Sequence, residues 1–329
     1  MAKTFNPSSD IPSLDGKVIF ITGGKPSPSS GSAYRDKPTD SNSGTAGLGA
    51  GSIEALANHN PKKIFFSGRN QKSADTLIAK IHKSSPDVDI AFVRCDISSF
   101  ASVRECAKTL QASTDRLDIF MLNAGIMAVD PSVSVDGYEI QFATNHLGHA
   151  LLVQQLLPLL RATSRLPGGD VRVINMTSIA YEQAPRQGID FATLETDQAN
   201  LGMIMMHKWA RYGQSKLAQM LYTDELARHY PEITWVSIHP GVVMTDLFAN
   251  VDFVTKLPVL LINIGRTTPV EQGFYNQVWA STCEKKKLKN GAYYEPIGTL
   301  GKRSTKQAKD EKLAQKLWAW TQEQFGAAS

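Results

Sequence analysis

The sequence predicts an α/β fold: a single doubly wound domain with a parallel seven-stranded sheet and helices on both faces. Three observations predict it. Short β-branched or aromatic runs alternate with longer segments whose apolar residues recur at helical spacing. The runs are near-continuously apolar, as strands covered on both faces must be. No internal repeat of solenoid period competes with this pattern. Alternating strands and helices imply right-handed crossovers and hence a parallel sheet. Ligands of such sheets bind beyond the carboxyl ends of the strands, so the residues that follow each strand carry the functional argument.

The strands, in order, are residues 17–21 (KVIFI), 63–67 (KIFFS), 89–94 (DIAFVR), 118–122 (DIFML), 171–176 (VRVINM), 234–238 (TWVSI) and 292–295 (AYYE). Between them, residues 50–57, 73–82, 102–110 and 143–149 read as helices, as does 212–230. The 329 residues carry a net charge of +4, with 42% apolar and 20% charged side chains, an ordinary balance for a chain with a buried core. One domain over 1–329 accommodates this length. Lys285, Lys286, Lys287 and Lys289 cluster beside Asn290-Gly291 and read as a solvated loop rather than a nucleic-acid surface. Cys95, Cys106 and Cys283 are odd in number, far apart and without CxxC spacing, which points to reduced thiols in a cytoplasmic protein. Residues 1–15 lack a signal-peptide layout. Residues 257–264, interrupted by Pro258, are too short to span a bilayer. His146 and His149 have no third ligand at sensible spacing, so no metal site is expected.

The first strand runs into Thr22-Gly23-Gly24, and the chain resumes as Thr45-Ala46-Gly47-Leu48-Gly49 before a helix. Joined, the halves read TGGTAGLG, a strand–turn–helix glycine motif. Glycines are needed there because the turn requires unusual backbone angles and a Cβ would keep a dinucleotide pyrophosphate from the N–H groups at the helix start. Residues 25–44 separate the halves with six serines, three prolines and no large aliphatic side chain. Such a composition predicts a disordered loop. Two explanations stand. The segment is a real insertion, or it is a translated intron: Gly24-Lys25 can be encoded with GTAAG and Thr39-Asp40 with CTGAC, and removal keeps the frame.

Further landmarks follow the later strands. Asn123-Ala124-Gly125 ends the fourth; Asn145 lies in the helical ATNHLGH; Ser178 ends the fifth in NMTS; and Tyr212-Gly213-Gln214-Ser215-Lys216 gives YxxxK. With the glycine turn, and in this order, they resemble the short-chain dehydrogenase/reductase family over residues 14–325. The resemblance implies a Rossmann domain, a nicotinamide cofactor held by Thr22, Gly23, Gly47, Leu48, Gly49, Asn123, Ala124 and Gly125, and a catalytic set of Asn145, Ser178, Tyr212 and Lys216. It further implies that Lys216 reaches the nicotinamide ribose, that Tyr212 borders it, and that Asn145 holds a water in the proton relay. Asp96 matches the family residue facing the adenine. Val243 and Thr245, in PGVVMT, match the segment lining the nicotinamide. A homodimer or homotetramer is the family expectation.

The residues support the chemistry independently. Tyr212 and Lys216 are four apart on a helix and project from one face. A tyrosine with its ordinary pKa of about 10 is a poor acid–base group at neutral pH. A neighbouring ammonium favours the phenolate and is expected to lower that value. Ser178 is placed to hydrogen-bond a substrate oxygen as charge develops. Arg69, at the end of the second strand, offers a planar donor fork suited to a 2′-phosphate where an acid would favour the bare hydroxyl, so NADP(H) is the expected cofactor. The expected lid, 246–271, and the apolar 201–206 (LGMIMM) point to an apolar carbonyl or alcohol substrate, with core or dimer contact as the competing explanation. The C-terminal stretch resembles fungal, retinol-dehydrogenase-like members, many of them in secondary metabolism. The alternative to an NADPH-dependent oxidoreductase is an inactive dinucleotide sensor, on account of the interrupted glycine turn.

Overall fold

The computed structural model describes residues 5–23, 47–204, 206–243 and 267–326. A short helix α1 (Pro7–Asp10) precedes β1 (Val18–Thr22), α2 (Leu48–Ala57), β2 (Lys63–Gly68), α3 (Gln71–Ser84), β3 (Ile90–Arg94), α4 (Phe100–Ser113) and β4 (Ile119–Leu122). The second half holds α5 (Ile140–Phe142), a π turn (Ala143–Leu147), α6 (Gly148–Ser164), β5 (Arg172–Met176), α7 (His207–His229) and β6 (Thr234–Ile238). Then come β7 (Val242–Val243), β8 (Thr267–Thr268), α8 (Tyr275–Thr282), β9 (Tyr293–Glu295), β10 (Thr299–Leu300) and α9 (Glu311–Gln324).

The main sheet runs β10-β9-β6-β5-β4-β1-β2-β3. Its seven expected strands are all parallel, and β10 adds an antiparallel edge. The eighth strand escapes the sequence because Thr299 and Leu300 are two exposed residues with no apolar run to mark them. Chain order reverses between β1 and β4, which opens a crevice at their carboxyl ends.

Alternation along the strands builds two cores. Ile19, Ile21, Phe66 and Met121 point to the side covered by α2, α3 and α8. Phe20, Phe65, Phe120 and Trp235 point to the side covered by α4, α6, α7 and α9. Helix starts are capped locally: Asn70 Oδ1 accepts from the Ser73 N–H at 3.0 Å, and Asp310 Oδ1 from the Leu313 N–H at 3.0 Å. Helix α9 lies against α7, with Trp318 stacked on Tyr222 and the Gln322 amide donating to the Tyr222 hydroxyl. Residues 143–149, expected as plain helix, begin with the π turn, whose extra residue displaces one helical hydrogen bond where Asn145 sits.

Candidate active site

The two halves of the glycine turn meet. A Cβ on Gly49 would lie 2.1 Å from the Gly23 carbonyl oxygen and 2.6 Å from Asn123 Nδ2. Gly23 itself has φ +78°, and a Cβ there would stand 2.9 Å from Ala124 Cα. Gly47 and Leu48 open α2 with no side-chain cap, leaving first-turn N–H groups for an anion. Residues 25–44 lie outside the described residues. Thr22 braces this turn from behind. It is wholly buried, and its hydroxyl accepts from the Asn123 and Ala124 N–H groups at 2.9 and 3.0 Å. Asn123 Nδ2 donates to the Thr22 and Gly23 carbonyls at 2.9 and 3.0 Å. Thr22 and Asn123 thus hold the cradle in shape.

At the outer end Arg69 and Asp96, expected to meet different parts of the cofactor, pair with each other at 3.8 Å. Asp96 also accepts from the Ser98 N–H and hydroxyl at 3.1 and 2.6 Å. Arg69, Asn70, Gln71, Lys72 and Arg94 line an open cleft there. Sequence reasoning missed Lys72 and Arg94. A signal existed for Lys72, because a cation in the first turn of a helix opposes the macrodipole and makes sense beside an anion.

The four catalytic expectations converge beyond β4 and β5. Asn145 is fully buried. Its Oδ1 accepts from the Ile126 N–H at 2.9 Å, and its Nδ2 donates to the Ile126 carbonyl and Ser215 Oγ at 3.0 and 2.9 Å. Its side chain therefore fixes the turn after Gly125 rather than reaching solvent. A Cβ on Gly125 would stand 3.0 Å from Asn145 Oδ1 and 3.7 Å from Lys216 Nζ. Ser178 accepts from the Ala180 N–H at 3.2 Å and lies near enough to Tyr212 to pull its phenol pKa down. Gly213 lets α7 close on the turn after Ser178: a Cβ there would meet the Ala180 carbonyl oxygen at 2.5 Å.

The expected lowering of the Tyr212 pKa does not occur. Burial pushes the phenol up to about 12, against a smaller downward pull from Ser178. Lys216 Nζ sits 5.5 Å from the Tyr212 ring centroid and donates elsewhere, to the Met176 carbonyl and to Gln219 Oε1, each at 2.8 Å. Burial pushes Lys216 down to about 7.

Comparison with known proteins agrees with this assembly. The model of the short chain dehydrogenase family matches residues 43–192, starting where the second half of the glycine turn resumes. The short-chain dehydrogenase/reductase drtF of Aspergillus calidoustus is 32% identical, over 96% of this chain and 95% of the relative. An oxidoreductase of Schizosaccharomyces pombe is 35% identical, over 98% of this chain and 88% of its own length. The chain belongs to the short-chain dehydrogenase/reductase family. Solved structures at low identity share the fold. A protein from Mycobacterium paratuberculosis aligns at TM-score 0.69 and 23% identity over 98% of this chain and 97% of that one. The NADPH-bound carbonyl reductase from chicken fatty liver aligns at TM-score 0.60 and 19% identity, over 92% and 100%.

Beside Tyr212 the chain builds an apolar cluster that the sequence marked only in part. Trp209 stands edge-on to Tyr212, ring centroids 6.1 Å apart, and Met127, Ala128, Ala180 and Met206 pack with the pair. Met206 was within the expected apolar run; Trp209 was missed, although its three-residue spacing from Tyr212 on one helix was visible. Met203 and Ile204 of that run are exposed. Val243, in β7, pairs with Thr268 of β8. Thr245 and residues 246–266 of the expected lid, 246–271, lie outside the described residues. His146 and His149 are buried and engaged in hydrogen bonds, His146 with Thr321 at 3.0 Å and His149 with Thr22 at 2.8 Å. Among the described residues no helix is long and apolar enough to cross a membrane.

Proposed function

We propose that this short-chain dehydrogenase/reductase is an NADPH-dependent enzyme that interconverts a carbonyl and an alcohol on a small to medium apolar substrate. The observation that carries the reading is the gathering of Ser178, Tyr212 and Lys216 in one place, with Lys216 Nζ 5.5 Å from the Tyr212 ring and an apolar cluster beside it. The residues fit a dinucleotide: the positions of Gly23 and Gly49 tolerate no Cβ, and α2 opens with uncapped N–H groups. Arg69, Lys72 and Arg94 line the cleft where a 2′-phosphate would be held. The NADPH-bound carbonyl reductase and an NADPH-dependent 3-quinuclidinone reductase among the structural neighbours support the same choice. The contact between Gly23 and Gly49 argues against a sensor whose cradle is broken.

The nicotinamide, when bound, supplies the hydride that reaches the carbonyl carbon, or takes it in the reverse direction. Tyr212 donates the proton to the carbonyl oxygen. A phenol held protonated by burial is the form this step needs, which favours reduction at neutral pH. Ser178 donates to the same oxygen as negative charge builds on it. Lys216 offsets the charge left on the phenolate. Trp209 and Met206 exclude water from the reacting face.

The test is Tyr212→Phe in a screen of aryl and alicyclic ketones with NADPH, alongside fluorescence titration of NADPH. Turnover is expected to fall by about a hundredfold or more for loss of the proton donor, with NADPH affinity retained. Near-normal turnover would overturn the role given to Tyr212.

A further inference from the structure

Lys216 is a buried amine without a carboxylate partner among the described residues, yet the reaction needs its charge. The titratable groups that face it are Tyr212 on its own helix and His149 from α6. His149 donates from Nδ1 to the Asn145 carbonyl at 2.9 Å and is held neutral by burial, so it lends no negative charge. What Lys216 meets instead is a pair of neutral oxygens, the Met176 carbonyl and Gln219 Oε1, each 2.8 Å from Nζ. The Gln219 amide is held in one orientation. Its Nε2 donates to Asn175 Oδ1 at 3.0 Å, while Asn175 Nδ2 donates to the Gln219 carbonyl and to Thr223 Oγ1, both at 3.1 Å. Because Asn175 presents its oxygen to the Gln219 nitrogen, the Gln219 oxygen must face Lys216. All three side chains are buried, so no solvent substitutes for them.

We infer that Gln219 is a positioning residue of the reaction: its amide oxygen, aimed by Asn175, holds the Lys216 head group charged and in place opposite Tyr212. The backbone carbonyl of Met176 is fixed by β5 and survives any substitution, so Gln219 is the adjustable half of the site. An acceptor within hydrogen-bond reach of a buried ammonium stabilises the charged form against desolvation. Removing it leaves burial, which already brings Lys216 down to about 7, less opposed. The inference rests on the proposed roles of Tyr212 and Lys216, and the experiment separates the two.

The full chain labelled with 13C,15N-lysine is titrated by NMR, the Lys216 signal being assigned by its loss in Lys216→Met. Gln219→Met, which keeps the volume and drops the acceptor, is expected to lower the Lys216 midpoint by about one unit. Gln219→Glu is expected to raise it. A role in packing alone would move neither. An unchanged midpoint in both variants overturns the inference. If Gln219→Met does not fold, Gln219→Glu decides, and a midpoint no higher than that of the parent overturns it. If the midpoint moves while Tyr212→Phe retains full turnover, the reading of Tyr212 fails and the hold of Gln219 on Lys216 stands.

Discussion

Arg69 and Asp96 are each about one-third exposed, and their 3.8 Å pairing bridges the ends of β2 and β3. An exposed pair of this kind contributes little stability, so a phosphate can take the guanidinium at small cost. Arg69→Ala is expected to weaken NADPH binding about 10- to 100-fold, the range for losing a charge-assisted hydrogen bond, while NADH binding changes little. Fluorescence titration with both cofactors checks this; an equal loss for both would make Arg69 structural. At this scale the sequence exposed residues whose type is chemically demanding, such as Tyr212, Lys216 and Arg69. It hid those whose role depends on orientation. Gln219 stands one helical turn from Lys216, a spacing the sequence shows, but its link to Asn175 spans 44 positions of chain and does not show there. Nor does the sequence show that the Asn145 amide is already committed to Ile126 and Ser215.

Among the elements, the junction of α7 with the short turn after β5 sets the distance between Ser178 and Tyr212. The positions of Ala180 and Ala184 leave no room for a side chain at 213. Gly213→Ala is expected to lower kcat about a hundredfold, since a displacement near 1 Å at a reacting pair has that effect. Overpacking is expected to cost about 1–3 kcal/mol of stability. Steady-state kinetics and thermal unfolding check the two separately, and unchanged kcat would show that the junction does not set the geometry. The seven parallel strands were legible because burial on both faces forces apolar runs. The π turn was not, because its 143–147 segment (ATNHL) carries no pattern that distinguishes it from the α-helix around it.

Across the whole molecule, three histidines lie in the interior. Burial pushes His146 down to about 3, and His149 and His239 down to about 4. In the unfolded chain each takes a proton near its ordinary pKa of about 6.5. Because the folded values are depressed, the unfolded state binds more protons below pH 6.5. The folded state should therefore be most stable above that pH and lose stability as pH falls from about 6.5 toward 4, by up to about 1.4 kcal/mol per pH unit for each histidine. Thermal midpoints measured from pH 7.5 to 4.5 are expected to drop steeply, and His146→Phe is expected to flatten the curve. A flat parent profile would mean that these rings take up protons without unfolding.

The contact between Gly23 and Gly49 has a topological meaning. The end of β1 and the start of α2 touch at Gly23 and Gly49, so the two ends of the intervening sequence are held together. For a loop whose ends the fold already joins, closure entropy grows only with the logarithm of length, roughly 0.6 kcal/mol per doubling. Passing from a three-residue link to these 23 residues amounts to about three doublings, on the order of 2 kcal/mol. A dinucleotide turn, whose tightness makes it look the least tolerant part of the molecule, is thereby a natural splice port. Its ends are clamped by backbone-to-backbone packing, so added sequence between them is penalised only logarithmically.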